Sequence, residues 1–294
     1  MADKLLKALA YNDEIRIYVA DATNMVAEAQ RRHDTWNTAT AALGRAMIGT
    51  SLLAAGEKGD VFLTVRIEGN GPAGYLLVDG NAKGDIKAYI QNPHVSLPLN
   101  DKGKLDVKGA IGDHGSLTVT KDIGMREPFV GQVPLISGEL GEDFTFYLAN
   151  SEQIASSVGL SVLVDTDDTV RTAGGFMIQV LPGASPQTID QLEATIQGLP
   201  LISKMMDKGK SPEELLAILA GHDNYRIVDE MDIQFKCNCS KERFANSLVS
   251  LGEEDIKEMI EEDGGAEAVC HFCRRSYQFS KEDLEEILEE MQEA

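Results

Sequence analysis

Cysteine is almost missing from this chain of 294 residues: there are four, and none precedes position 237. A disulfide framework is thereby excluded from everything before that point, and a chain of this length needs none to build a core. Long apolar runs are missing as well. No stretch approaches the ~18 to 20 apolar residues of a membrane-spanning helix, and Met1-Ala2-Asp3-Lys4 lacks the basic-then-apolar layout of a signal peptide. Basic charge is short too. Against 48 acidic side chains stand 27 basic ones, and a net charge of −21 repels phosphate backbones and anionic lipid. The expectation is a soluble cytoplasmic protein with neither nucleic acid nor membrane as partner. Catalytic signatures are also lacking: there is no Gly-x-Ser-x-Gly and no His-Glu-x-x-His, so the chain reads as a non-enzyme. Gly69-Asn-Gly71-Pro-Ala-Gly74 is not followed by Gly-Lys-Ser/Thr and reads as turns rather than a phosphate loop. Asp165, Asp167 and Asp168 lack the spacing of a calcium loop and read as a solvated turn. Trp36 and the Met205-Met206 pair read as packing residues.

What is present is a 43% hydrophobic fraction, enough for an ordinary core. A β-rich Ile15-Arg-Ile-Tyr-Val19 precedes helical stretches near 24–33 and 36–55, the second Ala-rich with Gly56 at its C-cap. Short β-rich runs follow at 61–67, 74–78, 85–90 and 116–120. Asn70-Gly71, Asp79-Gly80 and Lys83-Gly84 punctuate them as hairpin turns, which predicts an antiparallel meander. Further strands are expected at 159–164 and 175–181. After Leu181 the texture changes to short helices opened by Ser185-Pro186 and Ser211-Pro212-Glu213-Glu214, with Gly198 and Gly221 at their ends. Their apolar stripes are too narrow to be self-supporting, so they must lie on the core, on a partner, or stay partly mobile. The last 58 residues carry 6 basic and 16 acidic side chains. Three short helices are expected there, with apolar faces Phe244, Leu248 and Leu251, then Ile256, Met259 and Ile260, then Leu284, Ile287, Leu288 and Met291, the last opening at Ser280. So small a core generally needs a metal.

The four cysteines supply one. Cys237-Asn-Cys239 and Cys270-His-Phe-Cys273 are two thiolate pairs, the donor set of a closed tetrahedral zinc site with no open position for a substrate. One zinc ion per chain is expected in the reduced state, with His271 facing solvent. Thiolates are also the form that oxidants attack, and in each pair a neighbour stands ready to resolve a sulfenic acid, so Cys237 with Cys239 and Cys270 with Cys273 are the expected bridges. Oxidation would remove the donors and, with them, roughly 10 to 16 kcal/mol of folding free energy. Spacing alone does not separate this switch from a purely structural zinc site, and a constitutive zinc-ribbon module that docks partner proteins remains the alternative. A zinc hydrolase is set aside because it needs an open coordination position.

Longer motifs go further. Gly71-Pro-Ala-Gly-Tyr-Leu-Leu-Val-Asp79, Gly115-Ser-Leu-Thr-Val-Thr-Lys-Asp-Ile-Gly124, Ser137-Gly-Glu-Leu-Gly-Glu-Asp143, Ser151-Glu-Gln153 and Gly174-Gly-Phe-Met-Ile-Gln-Val-Leu-Pro-Gly183 stand beside the two cysteine pairs. With them the chain resembles, over essentially its whole length, the redox-regulated bacterial heat-shock family of 33 kDa chaperonins; Ala155 stands where the family often has Pro. The resemblance implies an ATP-independent holdase, idle while reduced and zinc-bound, active once two disulfides form and zinc leaves, dimeric when active, with unfolding proteins as clients. It carries the zinc-ligand and disulfide roles onto Cys237, Cys239, Cys270 and Cys273. The expected architecture is α+β: a core and dimerisation domain at 1–181 with an antiparallel sheet and packed helices, a helical linker at 182–236, and a zinc-binding switch domain at 237–294. In this scheme the zinc module clamps the linker on the core, and Leu192, Ile196, Leu215, Ile218 and Leu219 are the candidate client-binding residues once that clamp is lost.

Overall fold

Sixteen of the 18 residues of the Ala-rich helix are buried, so this segment faces protein all round and needs a layer on each side. The structure, a computed structural model, describes residues 2–221 and 224–293. The chain divides into two compact units, Met1–Lys236 and Cys237–Ala294. In chain order the first unit runs β1 (Lys4–Ala10), β2 (Ile15–Asp21), α1 (Thr23–His33), α2 (Asn37–Ala54), β3 (Phe62–Gly69), β4 (Tyr75–Asn81), β5 (Asp85–Ile90), α3 (Val107–Ile111), β6 (Gly115–Asp122), β7 (Phe129–Pro134), α4 (Gly141–Asn150), β8 (Ser156–Val164) and β9 (Val170–Val180). It continues with α5 (Pro186–Gln197), α6 (Ile202–Asp207), α7 (Pro212–Ala220), β10 (Tyr225–Asp232) and β11 (Gln234–Phe235).

Two sheets supply the layers around α2. One is antiparallel throughout in the order β10-β1-β2-β9-β8; the other has the order β11-β5-β4-β3-β6-β7, antiparallel but for the short parallel pairing of β11 with β5. Leu43, Met47 and Leu52 of α2 share one core with Leu5, Tyr18 and Met177 of the first sheet and Val65, Val78 and Val119 of the second. Gly49 stands within the continuous helix because a Cβ there would collide with the Phe144 ring. The α+β class and the antiparallel meander are as expected.

Several local expectations are corrected. Asp79-Gly80 is not a turn but lies within β4, where Asp79 accepts a hydrogen bond from Thr64 Oγ1 at 2.7 Å and pairs with Lys87 at 3.2 Å. A Cβ at Gly80 would press on Ile86 and Thr50 of α2, so this glycine serves close helix approach. The chain turns after Asn81, with Gly84 at φ +84°. The C-cap of α2 is Ala55 rather than Gly56. Trp36 is 48% exposed and rests against His94 rather than in the core. Strand β1, rich in Leu, Ala and Lys, carries no strand signal of its own and is extended because β2 and β10 pair with it on both sides.

Of the three fates open to the short helices after Leu181, lying on the core is the one observed. Helices α5 to α7 cover the second face of the first sheet, where Leu6, Ala8, Ile15, Ile17, Val19 and Ile178 meet Leu192, Ile202, Leu215, Leu216 and Leu219. Ser185 and Ser211 cap α5 and α7 as expected, and Gly221 ends α7 in the left-handed region. Strand β10 then pairs with β1 as an edge of the same sheet.

The second unit holds α8 (Lys241–Leu248), α9 (Glu253–Glu258), β12 (Gly265–Val269), β13 (Ser276–Ser280) and α10 (Lys281–Glu293). The hairpin β12–β13 has no counterpart among the expected helices. Ile256, Phe279, Leu284 and Ile287 are its buried apolar residues, flanked by Phe244, Leu248, Met259, Ile260, Leu288 and Met291. Leu251, assigned to an apolar face, is instead 49% exposed at the end of a 3-10 turn. Ser280 opens α10 as expected, its Oγ accepting from Asp283 N at 3.2 Å while Asp283 Oδ2 accepts from Ser280 N at 2.7 Å.

Candidate metal centre

Two short chain segments present the four sulfurs. Cys237 and Cys239 lie in the extended stretch before α8, whose N-cap Ser240 accepts from Arg243 N while Arg243 Nη1 donates to the Asn238 carbonyl. Cys270 and Cys273 bracket the turn of the β12–β13 hairpin. There Cys270 N donates to Arg275 O at 2.9 Å and Arg274 N to Cys270 O at 2.8 Å, with Arg274 at φ +58°. One extended stretch and one tight turn thus bring four side chains to one point.

All four Sγ atoms lie within 4.8 Å of one another. Cys270 and Cys273 are buried and Cys237 and Cys239 half-buried, and all four are unbridged by disulfides. Their recorded close approaches run across the pairs, 3.7 Å for Cys237 to Cys270 and 3.3 Å for Cys239 to Cys273, well beyond the ~2.05 Å of a disulfide. Four sulfurs on short tethers around one point are the donor set of a closed zinc site, so the residues present fit that metal. His271 is exposed and stands outside the group, as expected.

Electrostatics separates the four. Burial pushes the Cys237 thiol well above the ordinary range, and burial likewise raises Cys273. Burial works against ionisation of Cys239 too, but hydrogen bonds with Tyr277 and with the neighbouring cysteines outweigh it and bring Cys239 down to about 7. Two partners were not foreseen from the sequence. The Tyr277 hydroxyl lies 3.2 Å from Cys239 Sγ and 3.0 Å from the Cys239 carbonyl oxygen. Arg275, raised by its interaction with Tyr277 and then by the charges of Cys239 and Cys273, supplies positive charge beside the thiolates. The only available signal was their nearness in sequence to Cys273.

The five candidate client-binding residues all lie in the first unit, away from the cysteines in sequence and packed together on one face of the first sheet. Leu215 and Leu219 are fully buried and Leu192 nearly so, while Ile196 and Ile218 are half-buried. Leu216, Ile202, Met205 and Met206 belong to the same cluster.

Fold and centre together define a two-unit α+β protein bearing a four-thiol site of metal-ligand geometry. A family model described as Hsp33 protein matches residues 3–280. The chain belongs to the Hsp33 family, a family of chaperones rather than enzymes, whose partners are unfolded proteins. It is 57% identical to the 33 kDa chaperonin of Levilactobacillus brevis over 99% of both chains. It is 54% identical to that of Enterococcus faecalis, over 99% of this chain and 97% of the relative. The crystal structure of the 33 kDa chaperonin from Thermotoga maritima superposes with a TM-score of 0.93 at 36% identity, covering 100% of each chain.

Proposed function

We propose that this chaperone is an ATP-independent holdase switched on by oxidation, with Cys237, Cys239, Cys270 and Cys273 as both its zinc ligands and its redox-active thiols. The observation that carries the reading is the gathering of all four cysteines of the chain at one point of a unit whose hydrophobic cluster, among the described residues, has Ile256, Phe279, Leu284 and Ile287 as its buried members. So thin a core leans on its metal for stability. Bound there, zinc supplies the tie between the two cysteine pairs and offsets part of their negative charge.

The chain's own residues do the rest. Peroxide takes two electrons from each pair of thiols; one disulfide forms, one peroxide becomes two waters, and the thiol protons go to those waters. Two peroxides therefore empty the site of donors. Cross-pair contacts exist only while the unit is folded, whereas Cys237 stays two residues from Cys239 and Cys270 three from Cys273 in any state. That tether supports Cys237–Cys239 and Cys270–Cys273 as the final bridges.

Loss of the second unit's fold is proposed to free residues 182–236, the linker between a core at 1–181 and the switch at 237–294. Chain continuity supports this coupling, since Cys237 follows directly on Lys236, whose N–H bonds Ile86 O in the last turn of pairing between β11 and β5. The ion pairs of the segment with the core are exposed or half-exposed, Lys4 with Glu213 and Glu230, Arg226 with Asp13 and Arg171 with Asp207, whereas the Ser161 and Ser203 hydroxyls meet in a buried contact. Exposed ion pairs contribute about 0 to 1 kcal/mol each. Once the helices lift, Leu192, Ile196, Leu215, Ile218 and Leu219 are bared together with the sheet face they cover, and this is the proposed client surface. The active form is read as a homodimer of the cytoplasm, where free thiols persist.

The test is to follow zinc with a chromogenic chelator, free thiols, and light scattering of a heat-denatured client, before and after peroxide at raised temperature. Release of about one zinc per chain, loss of all four thiols and new suppression of aggregation are expected. Retention of zinc and thiols, or their loss with no gain in client protection, points instead to the constitutive zinc-ribbon module.

A further inference from the structure

The second unit contains a link between its two cysteine pairs that does not run through a metal. Tyr277 stands on β13, on the Cys270/Cys273 side, and its hydroxyl reaches the other pair, 3.0 Å from the Cys239 carbonyl oxygen and 3.2 Å from Cys239 Sγ. Its ring and its main chain each have a partner. Phe244 of α8 packs against it with centroids 5.2 Å apart and planes at 38°, and Ala268 pairs with it across the hairpin.

A phenol has one proton to donate, and here two acceptors on the same residue compete for it. We propose that Tyr277 is a positioning residue for the metal centre: it anchors the main chain of Cys239 to the opposite half of the site, with its hydroxyl also within hydrogen-bond reach of Cys239 Sγ. Holding Cys239 in place keeps the two halves of the ligand set together, which tightens its hold on a metal and keeps the sulfur within the closed site, away from an oxidant. Tyr277 thereby sets how much oxidant the centre withstands. The inference rests on the reading of the four thiols as zinc ligands.

Tyr277→Phe in the full chain removes the oxygen and keeps the ring. Competition against a chelator is expected to show zinc held ~10- to 100-fold more weakly, the range for losing a hydrogen bond to a ligand. At saturating zinc its circular dichroism should match wild type. Under limiting peroxide, peptide mass spectrometry should find the Cys237/Cys239 peptide oxidised sooner than in wild type. Phe244→Leu disturbs the ring support and spares the hydroxyl; it should lower the melting temperature of the second unit and leave the oxidation rate near wild type. A Tyr277→Phe chain with wild-type zinc affinity and oxidation rate overturns the proposal, as does one that takes up no zinc at any concentration, or two variants with equal effects. A wild-type chain that holds no zinc fails earlier, on the metal reading itself.

Discussion

Asp143 shows how much one side chain can organise. It is fully buried, and its two oxygens accept from Ile136 N, Ser137 N, Ser137 Oγ and Leu140 N, which folds the Ser137–Asp143 motif into a closed turn at the start of α4. Asp143→Ala strands those donors away from water. A loss of about 3 kcal/mol is expected, read as a lower melting temperature by circular dichroism with no change in zinc content. Glu152 is a second anchor, half-buried, accepting from Lys121 at 2.8 Å and from the Tyr147 hydroxyl at 2.5 Å. Burial opposes its ionisation, but these two bonds win and hold its pKa below the usual 4.5. A carboxylate depressed in the folded state binds fewer protons there than when unfolded, so its stabilisation is complete above pH 4.5 and fades as pH falls through the folded value. The stability gap between wild type and Glu152→Gln, measured by urea melts, should therefore be widest near neutrality and shrink on acidification below 4.5. A gap that widens on acidification would refute the assignment. At this scale the cysteines were legible because chemistry fixes their spacing. Tyr277 was not, because nothing local marks which tyrosine will reach a sulfur on another chain segment.

Among elements, α7 carries the clearest consequence. Leu215, Leu216 and Leu219 are fully buried against β1 and β2, and a capping box between Ser211 and Glu214 starts the helix. Leu219→Asp places a charge in that apolar layer, at a cost of several kcal/mol unless the helix lifts. Lifting is the expected result: the reduced, zinc-loaded variant should bind a hydrophobic dye and suppress client aggregation without oxidant. A reduced variant as inert as wild type would count against the proposed client surface. The cap itself is a milder probe, Ser211→Ala weakening α7 by about 1 kcal/mol. The Ser-Pro starts of α5 and α7 were readable because capping is a local interaction. Asp79-Gly80 misled for the opposite reason: the pair looks like a turn, but Gly80 is there for α2, a partner far away in sequence. Strands β1 and β10 escaped notice on the same grounds, since only pairing in the folded sheet makes them strands.

At the level of the whole molecule the two units should respond separately to loss of metal. Thiolates must be deprotonated to bind zinc, so affinity falls as pH falls, and a chelator should strip the metal more readily at pH 6 than at pH 8. Stripping is expected to abolish amide protection in Cys237–Ala294 while strands β2 to β9 of the two large sheets keep theirs, as hydrogen exchange would show. Equal loss in both units would contradict the division of the chain at Lys236. One further property follows from where the covering segment begins and ends. Strand β9 leaves the first sheet at Val180 and β10 rejoins it at Tyr225, so α5, α6 and α7 are a loop pinned at both ends rather than a free arm. If those strands stay paired when the helices lift, the segment never diffuses away. It competes with every bound client at an effective concentration on the order of millimolar, and so discharge of clients can be driven by the chain's own return to the sheet, with no nucleotide hydrolysed.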